Sequence, residues 1–194
     1  MRNPIRLKNL SLRLAPLYVS GALLWWLASP TRVSFFLGLV LVALGLAVRG
    51  WGVGYLLKTE RLAISGPYAY VRNPLYLGTL LVGCGFSVML GGWVGLVALL
   101  ALGSWFGFSY FPRKEQIESE RLRARYGEVY QIYYEQVPAL WPRFSSWRPD
   151  TQILEQLADD RSWRFERYDA NNELGTFLSC AAGVMLVAVR FFLT

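Results

Sequence analysis

Five long apolar runs constrain what this chain can fold into. They cover residues 12–27, 33–57, 75–90, 93–111 and 174–193. Each is roughly 16–25 residues long, and about 20 helical residues are needed to cross the hydrocarbon core of a bilayer. The chain has 194 residues, of which 54% are hydrophobic and 17% charged, too few charges for the surface of a soluble domain of this size. We therefore predict an all-α integral membrane protein with about five transmembrane helices.

The distribution of basic residues predicts the orientation in the membrane. The loops between the first and second runs and between the third and fourth runs together hold one basic residue, Arg32. The remaining segments are much richer and contain Arg2, Arg6, Lys8, Arg13, Lys58, Arg61, Arg72 and ten more residues from Arg113 to Arg167. Positive charge favours the cytoplasmic side, which places the N-terminus inside and the C-terminus outside. The net charge of +7 is then explained by topology and anionic lipid headgroups, without a nucleic-acid partner.

A polar segment, GPYAYVRNPLYLG, separates the second and third runs and covers Gly66–Gly78. Its Gly66-Pro67 pair is a turn signal, and Pro74 suits the first turn of a helix, where a missing N–H is harmless. We therefore predict a shaped loop on the cytoplasmic side that presents polar side chains at headgroup level.

A second segment on the same side, residues 112–143, has the periodicity of an amphipathic helix. Glu115, Glu118 and Ser119 fall on or near its apolar face, although Gly127 weakens the assumption of one continuous helix. A carboxylate on that face needs a partner, such as the cationic group of a ligand or Arg72 of the loop. The residues that define the apolar face are Leu122, Tyr126, Val129, Tyr130, Tyr133 and Val137.

Together these two segments resemble the isoprenylcysteine carboxyl methyltransferase family, whose wider superfamily includes phospholipid N-methyltransferases. The loop follows the pattern GPY-x-Y-x-R-[H/N]-P-x-Y-x-G. The second segment reads EQIESERLRARYGEVYQIYYEQVPALWP and contains the pattern YG-x-x-Y-x-x-Y-x-x-x-VP. The resemblance implies a membrane enzyme that binds S-adenosylmethionine from the cytosol and takes a lipophilic substrate from the bilayer.

The resemblance also implies which residues form the site. Arg72 and Glu118 are the expected catalytic residues. Glu118 matches the first member of the family's usual Glu pair, Ser119 stands where the second would be, and Asn73 stands where many members have histidine. The residues expected to bind the cofactor are Tyr70, Val71, Arg72, Asn73, Pro74, Tyr76 and Glu118.

These residue types suit the chemistry of the cofactor. Glu118 can pair with its ammonium, whereas Arg72 and Asn73 can bind its carboxylate. Aromatic rings can hold the adenine and favour the sulfonium by cation–π attraction. Methyl transfer requires no metal, and we predict no metal site. The chain has no histidine to act as a base near neutral pH, which slightly favours an acidic or weakly basic acceptor. A prenylated carboxylate and a phospholipid amine both remain open.

Two other functions fit the same scaffold. One is an NADPH-dependent membrane reductase of the sterol-reductase type, and the other is a non-catalytic lipid-binding protein. Arg49 lies within an apolar run and therefore needs a partner, a wet cavity or a path to the headgroups. We expect it either to reach the substrate site or to extend toward the interface. Glycines such as Gly38 and Gly45 allow close helix packing or pairing of protomers, so a homo-oligomer is possible.

We expect one membrane domain over residues 1–194. Residues 1–57 hold two N-terminal spans, and residues 58–143 form the methyltransferase core with the third and fourth spans. Residues 144–173 form an interfacial segment with amphipathic helices, or a lid over the cofactor, and residues 174–194 form the fifth span.

Overall fold

The computed structural model describes residues 4–56, 62–151, 153 and 162–193. These residues contain helices, a 3₁₀ turn and a π-helical segment but no strand, which confirms the all-α prediction. Among the described residues, α-helices are found at α1 (Pro4–Leu27), α2 (Arg32–Tyr55), α3 (Pro74–Leu90), α4 (Gly92–Trp105), α5 (Phe111–Gln136), α6 (Phe165–Ala170) and α7 (Glu173–Leu193). The 3₁₀ turn is Gly66–Ala69, and the π-helical segment Phe106–Tyr110 joins α4 to α5.

Apolar helices occur at all five predicted positions. Three described helical stretches are long and apolar enough to cross a membrane, namely α2, the continuous stretch Gly92–Gln136, and α7. Tyr18–Leu27 and Pro74–Leu90 are shorter, so the number of five spans stays a prediction. Large apolar side chains on these helices face outward, including Val33 (76% exposed) and Phe192 (83% exposed). Such a surface is unfavourable in water and favourable in lipid, which supports an integral membrane protein.

Glycines hold α2 close to α3. A Cβ atom added to Gly45 would lie 2.7 Å from the carbonyl oxygen of Gly78, and one added to Gly85 would lie 2.7 Å from that of Gly38. The two glycines of each helix are seven residues apart, so they lie on one face and the backbones approach at both levels. This confirms close helix packing at Gly38 and Gly45. The close packing also fixes the position of α3, whose first turn forms the end of the polar loop.

The second half of α5 turns back toward the polar loop. Gly127 has φ 54° and ψ −126°, a backbone conformation that interrupts the helix and that residues other than glycine rarely adopt. Beyond it, Tyr130, Tyr133 and Val137 are buried against Leu62 and Ile64. The predicted apolar face is therefore confirmed, and it packs on the chain that precedes the loop.

Residues 162–171 fasten onto the C-terminal end of α2. Trp163 donates its indole N–H to the carbonyl of Gly50 at 3.1 Å, and Arg167 Nη1 donates to the carbonyl of Gly54 at 3.1 Å. A cation that binds the last carbonyls of a helix also complements its dipole. This part of the predicted interfacial segment thus packs against protein. Its contact with lipid and its action as a lid stay predictions.

Some residues behind the predicted orientation lie outside the described part of the chain. They are Arg2, Lys58, Arg61 and Arg161. The cytoplasmic N-terminus and outside C-terminus stay predictions.

Candidate active site

Backbone hydrogen bonds join the two sequence motifs into one unit. The amides of Arg72 and Asn73 donate to the carbonyls of Pro138 and Ala139 at 2.9 and 3.2 Å. In return, the amide of Arg143 donates to the carbonyl of Tyr70 at 3.0 Å. The polar loop and the chain that follows α5 therefore form one wall, although about 65 residues separate them in sequence.

The shape of the loop begins at its first residue. Gly66 has φ 61°, and Pro67 occupies the second position of the 3₁₀ turn, where its missing N–H costs nothing. A side chain at Gly66 would also overlap the ring of Tyr55 at the end of α2. The turn therefore packs directly on α2 and directs the following residues toward α5.

Arg72 fastens this wall to α5. Its Nε donates to the carbonyl of Val137 at 2.8 Å, its Nη1 donates to Glu115 Oε1 at 2.8 Å, and its guanidinium lies 3.8 Å above the ring of Tyr134. The side chain is 8% exposed. Sequence reasoning expected an inward carboxylate to pair with a ligand or with Arg72. In the structure, Glu115 is the carboxylate that takes Arg72.

Glu118 has a different environment, one helical turn further along. Its Oε1 accepts a hydrogen bond of 2.7 Å from the hydroxyl of Tyr76. Ser119 is buried, donates to Glu115 at 3.1 Å and accepts from the Tyr130 hydroxyl at 2.9 Å. The two carboxylates therefore have different roles. Glu115 binds Arg72 of the loop, whereas Glu118 faces a cavity.

That cavity has a volume of about 460 Å³ and lies between the loop, the start of α3 and α5. Five of the seven predicted cofactor-binding residues line it: Arg72, Asn73, Pro74, Tyr76 and Glu118. The other two support the loop from behind. Val71 is 3% exposed, and the ring of Tyr70 lies 6.0 Å from that of Trp51.

Asn73 has one partner that fixes its side chain. Its Nδ2 donates to the carbonyl of Ala139 at 3.0 Å, the same oxygen that accepts from its backbone amide. The amide side chain thus helps to hold the two motifs together while it lines the cavity. An amide can bind but does not exchange a proton at neutral pH.

The cavity also has lining residues that sequence reasoning did not assign to the site. Arg121 and Arg125 lie one helical turn apart on α5, and their spacing was the available signal. Tyr68 lies opposite, and burial raises the pKa of its hydroxyl well above the ordinary value, with the charge of Glu118 adding to the effect. Tyr68 is therefore a neutral hydroxyl at physiological pH. Tyr126, Tyr130 and Tyr133, predicted on the apolar face of this segment, line the cavity as well.

Arg49 pairs with the acid that begins α7. Its Nε and Nη2 donate to Oε1 and Oε2 of Glu173 at 2.8 Å each, and its Nη1 donates to Thr79 at 2.6 Å. Nη1 also lies 3.4 Å from the carbonyl of Leu75, a residue that lines the cavity. The structure thus gives Arg49 a role in joining α2, α3 and α7. Its predicted contact with substrate stays a prediction.

Among the described residues, no three His, Cys, Asp or Glu side chains cluster in a way that could hold a metal ion. The described residues that line the cavity offer one carboxylate, cationic side chains, hydroxyls and aromatic faces. Comparison with known proteins places the chain in a family. The family model for phospholipid methyltransferases matches residues 18–129, more than half of the chain.

The chain belongs to the phospholipid methyltransferase family. The matched region contains the polar loop and Glu118, so the resemblance stated from these motifs is confirmed. A protein-S-isoprenylcysteine O-methyltransferase from Schizosaccharomyces pombe is 32% identical over 82 residues, which are 42% of this chain and 33% of that relative. The matched region thus spans about a third of the relative's length. No solved structure matches the chain at a significant level.

Proposed function

We propose that this chain is an S-adenosylmethionine-dependent methyltransferase that methylates a lipophilic substrate at the cytoplasmic membrane interface. The observation that carries the proposal is the placement of Glu118 and Tyr76 in one cavity with Arg72 and Asn73. Membership in the phospholipid methyltransferase family supports the reaction class. The cavity volume of about 460 Å³ falls within the range of small-molecule sites.

The donor set fits the proposed cofactor. Glu118 can accept from an ammonium group, and Tyr76 orients its carboxylate by donating to Oε1. Arg121 and Arg125 supply cationic groups for a carboxylate, while Arg72 is largely committed to Val137 and Glu115. The tyrosine faces of the cavity suit adenine and a sulfonium. When bound, S-adenosylmethionine supplies a methyl group on a positively charged sulfur that becomes a neutral thioether.

The contribution of the protein is mainly alignment. Positioning of reactants is worth up to about 7–11 kcal/mol in favourable intramolecular systems. Hydrogen bonds hold together the wall formed by the loop and residues 137–143, and Arg49 Nη1 contacts the Leu75 carbonyl of the loop. We infer that this framework orients the acceptor toward Glu118 and excludes water from the cavity.

Proton handling separates the two classes of acceptor. An acceptor amine must lose a proton before it attacks, and the chain has no histidine to take it. Glu118, hydrogen-bonded to Tyr76, is the carboxylate in the cavity that can hold that proton. A prenylated carboxylate is already ionised and needs no base. The family description names phospholipids, and the Schizosaccharomyces pombe relative is named for isoprenylcysteine.

Cofactor binding tests the proposal directly. The purified full chain in nanodiscs is titrated with S-adenosylmethionine, with its demethylated product and with NADPH. We expect saturable binding of the first two, reduced about 10- to 100-fold in Glu118→Gln because a hydrogen bond to a charged group is lost. Glu128→Gln is the matched control, since Glu128 is an exposed acid on the same helix.

The alternatives predict different titrations. Binding of NADPH alone would instead indicate a membrane reductase, and binding of none of the three would indicate a lipid-binding protein. Incubation with isotopically labelled methyl donor, followed by mass spectrometry of added phosphatidylethanolamine or prenylated cysteine, then identifies the acceptor. Label in neither lipid class would contradict the proposed substrate.

A further inference from the structure

A second cavity lies on the opposite side of the wall that borders the first. Its volume is about 500 Å³, and it opens between α3, the end of α4 and the chain after α5. Its lining is mainly apolar and includes Leu80, Phe106, Phe111 and residues 138–141. An apolar space of this size among membrane helices suits a hydrocarbon chain better than a water-soluble cofactor.

The two cavities adjoin. Pro138 and Ala139 line the second cavity, and their carbonyls accept from the amides of Arg72 and Asn73, which line the first. The rings of Tyr76 and Phe111 meet edge to face with centroids 5.9 Å apart. Because Tyr76 lines the first cavity and Phe111 the second, this ring contact connects the linings of the two cavities.

Two glycines line this cavity and leave open space beside them. A Cβ atom added to Gly103 or Gly107 would meet nothing within 4 Å, unlike one added to Gly45 or Gly85, which would strike backbone. Gly107 lies in the π-helical segment, and such bulges in α-helices are frequent at functional sites. Gly103 and Gly107 therefore leave open volume where the other two glycines serve close helix packing.

We propose that the second cavity holds one acyl chain of the phospholipid that accepts the methyl group, and that Gly103 and Gly107 set the chain bulk it admits. This inference rests on the proposed function, because the lipid held there is the methyl acceptor. Nearby charge favours a phospholipid: Arg113 and Lys114 are exposed, follow the lining residue Phe111 by two and three positions, and suit a phosphate group. Trp141 lines the rim and is 75% exposed, as is typical of the membrane interface.

Photocrosslinking tests the occupant. The full chain is placed in nanodiscs that contain phosphatidylethanolamine with a diazirine on one acyl chain, and crosslinked peptides are mapped by mass spectrometry. We expect crosslinks in residues 103–111 and 138–141, and a loss of at least about tenfold in Gly107→Leu, since a filled pocket discriminates strongly against an extra group. Gly103→Leu gives the same loss, and Gly107→Ala a smaller one.

The control and the outcomes separate the cavity from the reaction. Gly21→Leu adds the same side chain at another glycine with open space around it and leaves the crosslinks unchanged. Cofactor binding remains within twofold of wild type in all variants, which shows that they fold. Crosslinks that Gly103→Leu and Gly107→Leu leave unchanged would overturn the proposal. So would labelling of this cavity by a diazirine-bearing prenylated cysteine in preference to the phospholipid.

Failure of the proposed function has a different signature. If the wild-type chain binds no S-adenosylmethionine but the acyl probe still labels the cavity in a glycine-dependent way, the assignment of the lipid as acceptor fails. If the cofactor binds and the glycine variants methylate long-chain and short-chain phosphatidylethanolamine in the wild-type ratio, the role of Gly103 and Gly107 in specificity fails.

Discussion

Two arginines of this chain form ion pairs with acids far away in sequence, and their surroundings differ. Arg49 lies within an apolar helix and pairs with Glu173, whose side chain is 4% exposed. Arg72 lies in the polar loop and pairs with Glu115, whose side chain is 17% exposed. The partners of Arg49 come from α3 and α7, whereas Arg72 also lines the cavity.

The difference shows how one type of interaction serves two purposes. A charge among apolar helices is costly unless it is paired, so the Arg49 pair fixes which helices are neighbours. The Arg72 pair lies beside the cavity, and its guanidinium also binds a backbone carbonyl and covers a tyrosine ring. We infer that the first pair secures the helix bundle and the second shapes the site.

Among these variants, loss of Glu173 has the largest expected effect, a loss of stability. Glu173→Ala leaves Arg49 without its carboxylate, and we expect the free energy of unfolding in detergent to fall by about 3–5 kcal/mol. The cofactor affinity of the folded fraction remains unchanged. The double variant Arg49→Leu with Glu173→Leu is the control and is less destabilised than the single variant. Equal destabilisation of both variants would show that the pair does not secure the bundle.

Loss of Glu115 tests the second ion pair, between Arg72 and Glu115. Glu115→Ala removes the acceptor of both Arg72 and Ser119, and we expect the free energy of unfolding to fall by about 1.5–3 kcal/mol. Because Arg72 lines the cavity, the affinity for S-adenosylmethionine falls as well, as measured by titration in nanodiscs. Glu128→Ala, at an exposed acid of the same helix, changes neither quantity. Unchanged cofactor affinity in Glu115→Ala would remove the distinction between the two arginines.

Substitution of Gly127 tests how much the interruption of α5 contributes to stability. Gly127→Ala puts a side chain at φ 54°, and we expect a loss of about 1–3 kcal/mol in the free energy of unfolding from backbone strain. Gly21→Ala is a matched control, since an added Cβ has open space at both positions. A loss in the control that equals the loss in Gly127→Ala would exclude the backbone conformation as the cause.

Removal of the Tyr76 hydroxyl has the smallest expected effect. Tyr76→Phe keeps the ring against Phe111 but loses the hydrogen bond to Glu118, which is worth about 0.5–1.5 kcal/mol. We expect cofactor affinity to fall about two- to tenfold in the same titration, with stability nearly unchanged. Tyr18→Phe, at an exposed tyrosine of α1, serves as the control. A loss of stability larger than the loss of affinity would assign Tyr76 to the framework.

Much of the site could be predicted from the sequence because its motifs are local. Both prolines and Gly66 specify the loop, and the spacing of Tyr126, Tyr130 and Tyr133 specifies which face of α5 turns inward. Five of the seven predicted cofactor-binding residues line the cavity for this reason. The assignment of the carboxylates was less secure. Glu115 and Glu118 share one helix face, and the helix position alone does not decide which of them meets Arg72.

The pairing of Arg49 shows a second limit. An intramembrane arginine demands a partner, and an acid directly precedes the last apolar run, but 124 residues separate Arg49 from Glu173. Helices in lipid have several possible neighbours of similar hydrophobicity, so periodicity does not choose among them. The glycine contacts of α2 with α3 and the packing of α7 beside them make that choice.

The sequence by itself determined the apolar helices, the turn at Gly66-Pro67 and the inward face of α5, because each follows from residue type and local spacing. The tertiary structure decided what the helix arrangement brings together. It paired Arg72 with Glu115, left Glu118 with Tyr76 in the cavity, and opened a second apolar cavity at Gly103 and Gly107. These features depend on contacts between distant segments, whose geometry is set by backbone approach, helix interruption and the satisfaction of buried charge.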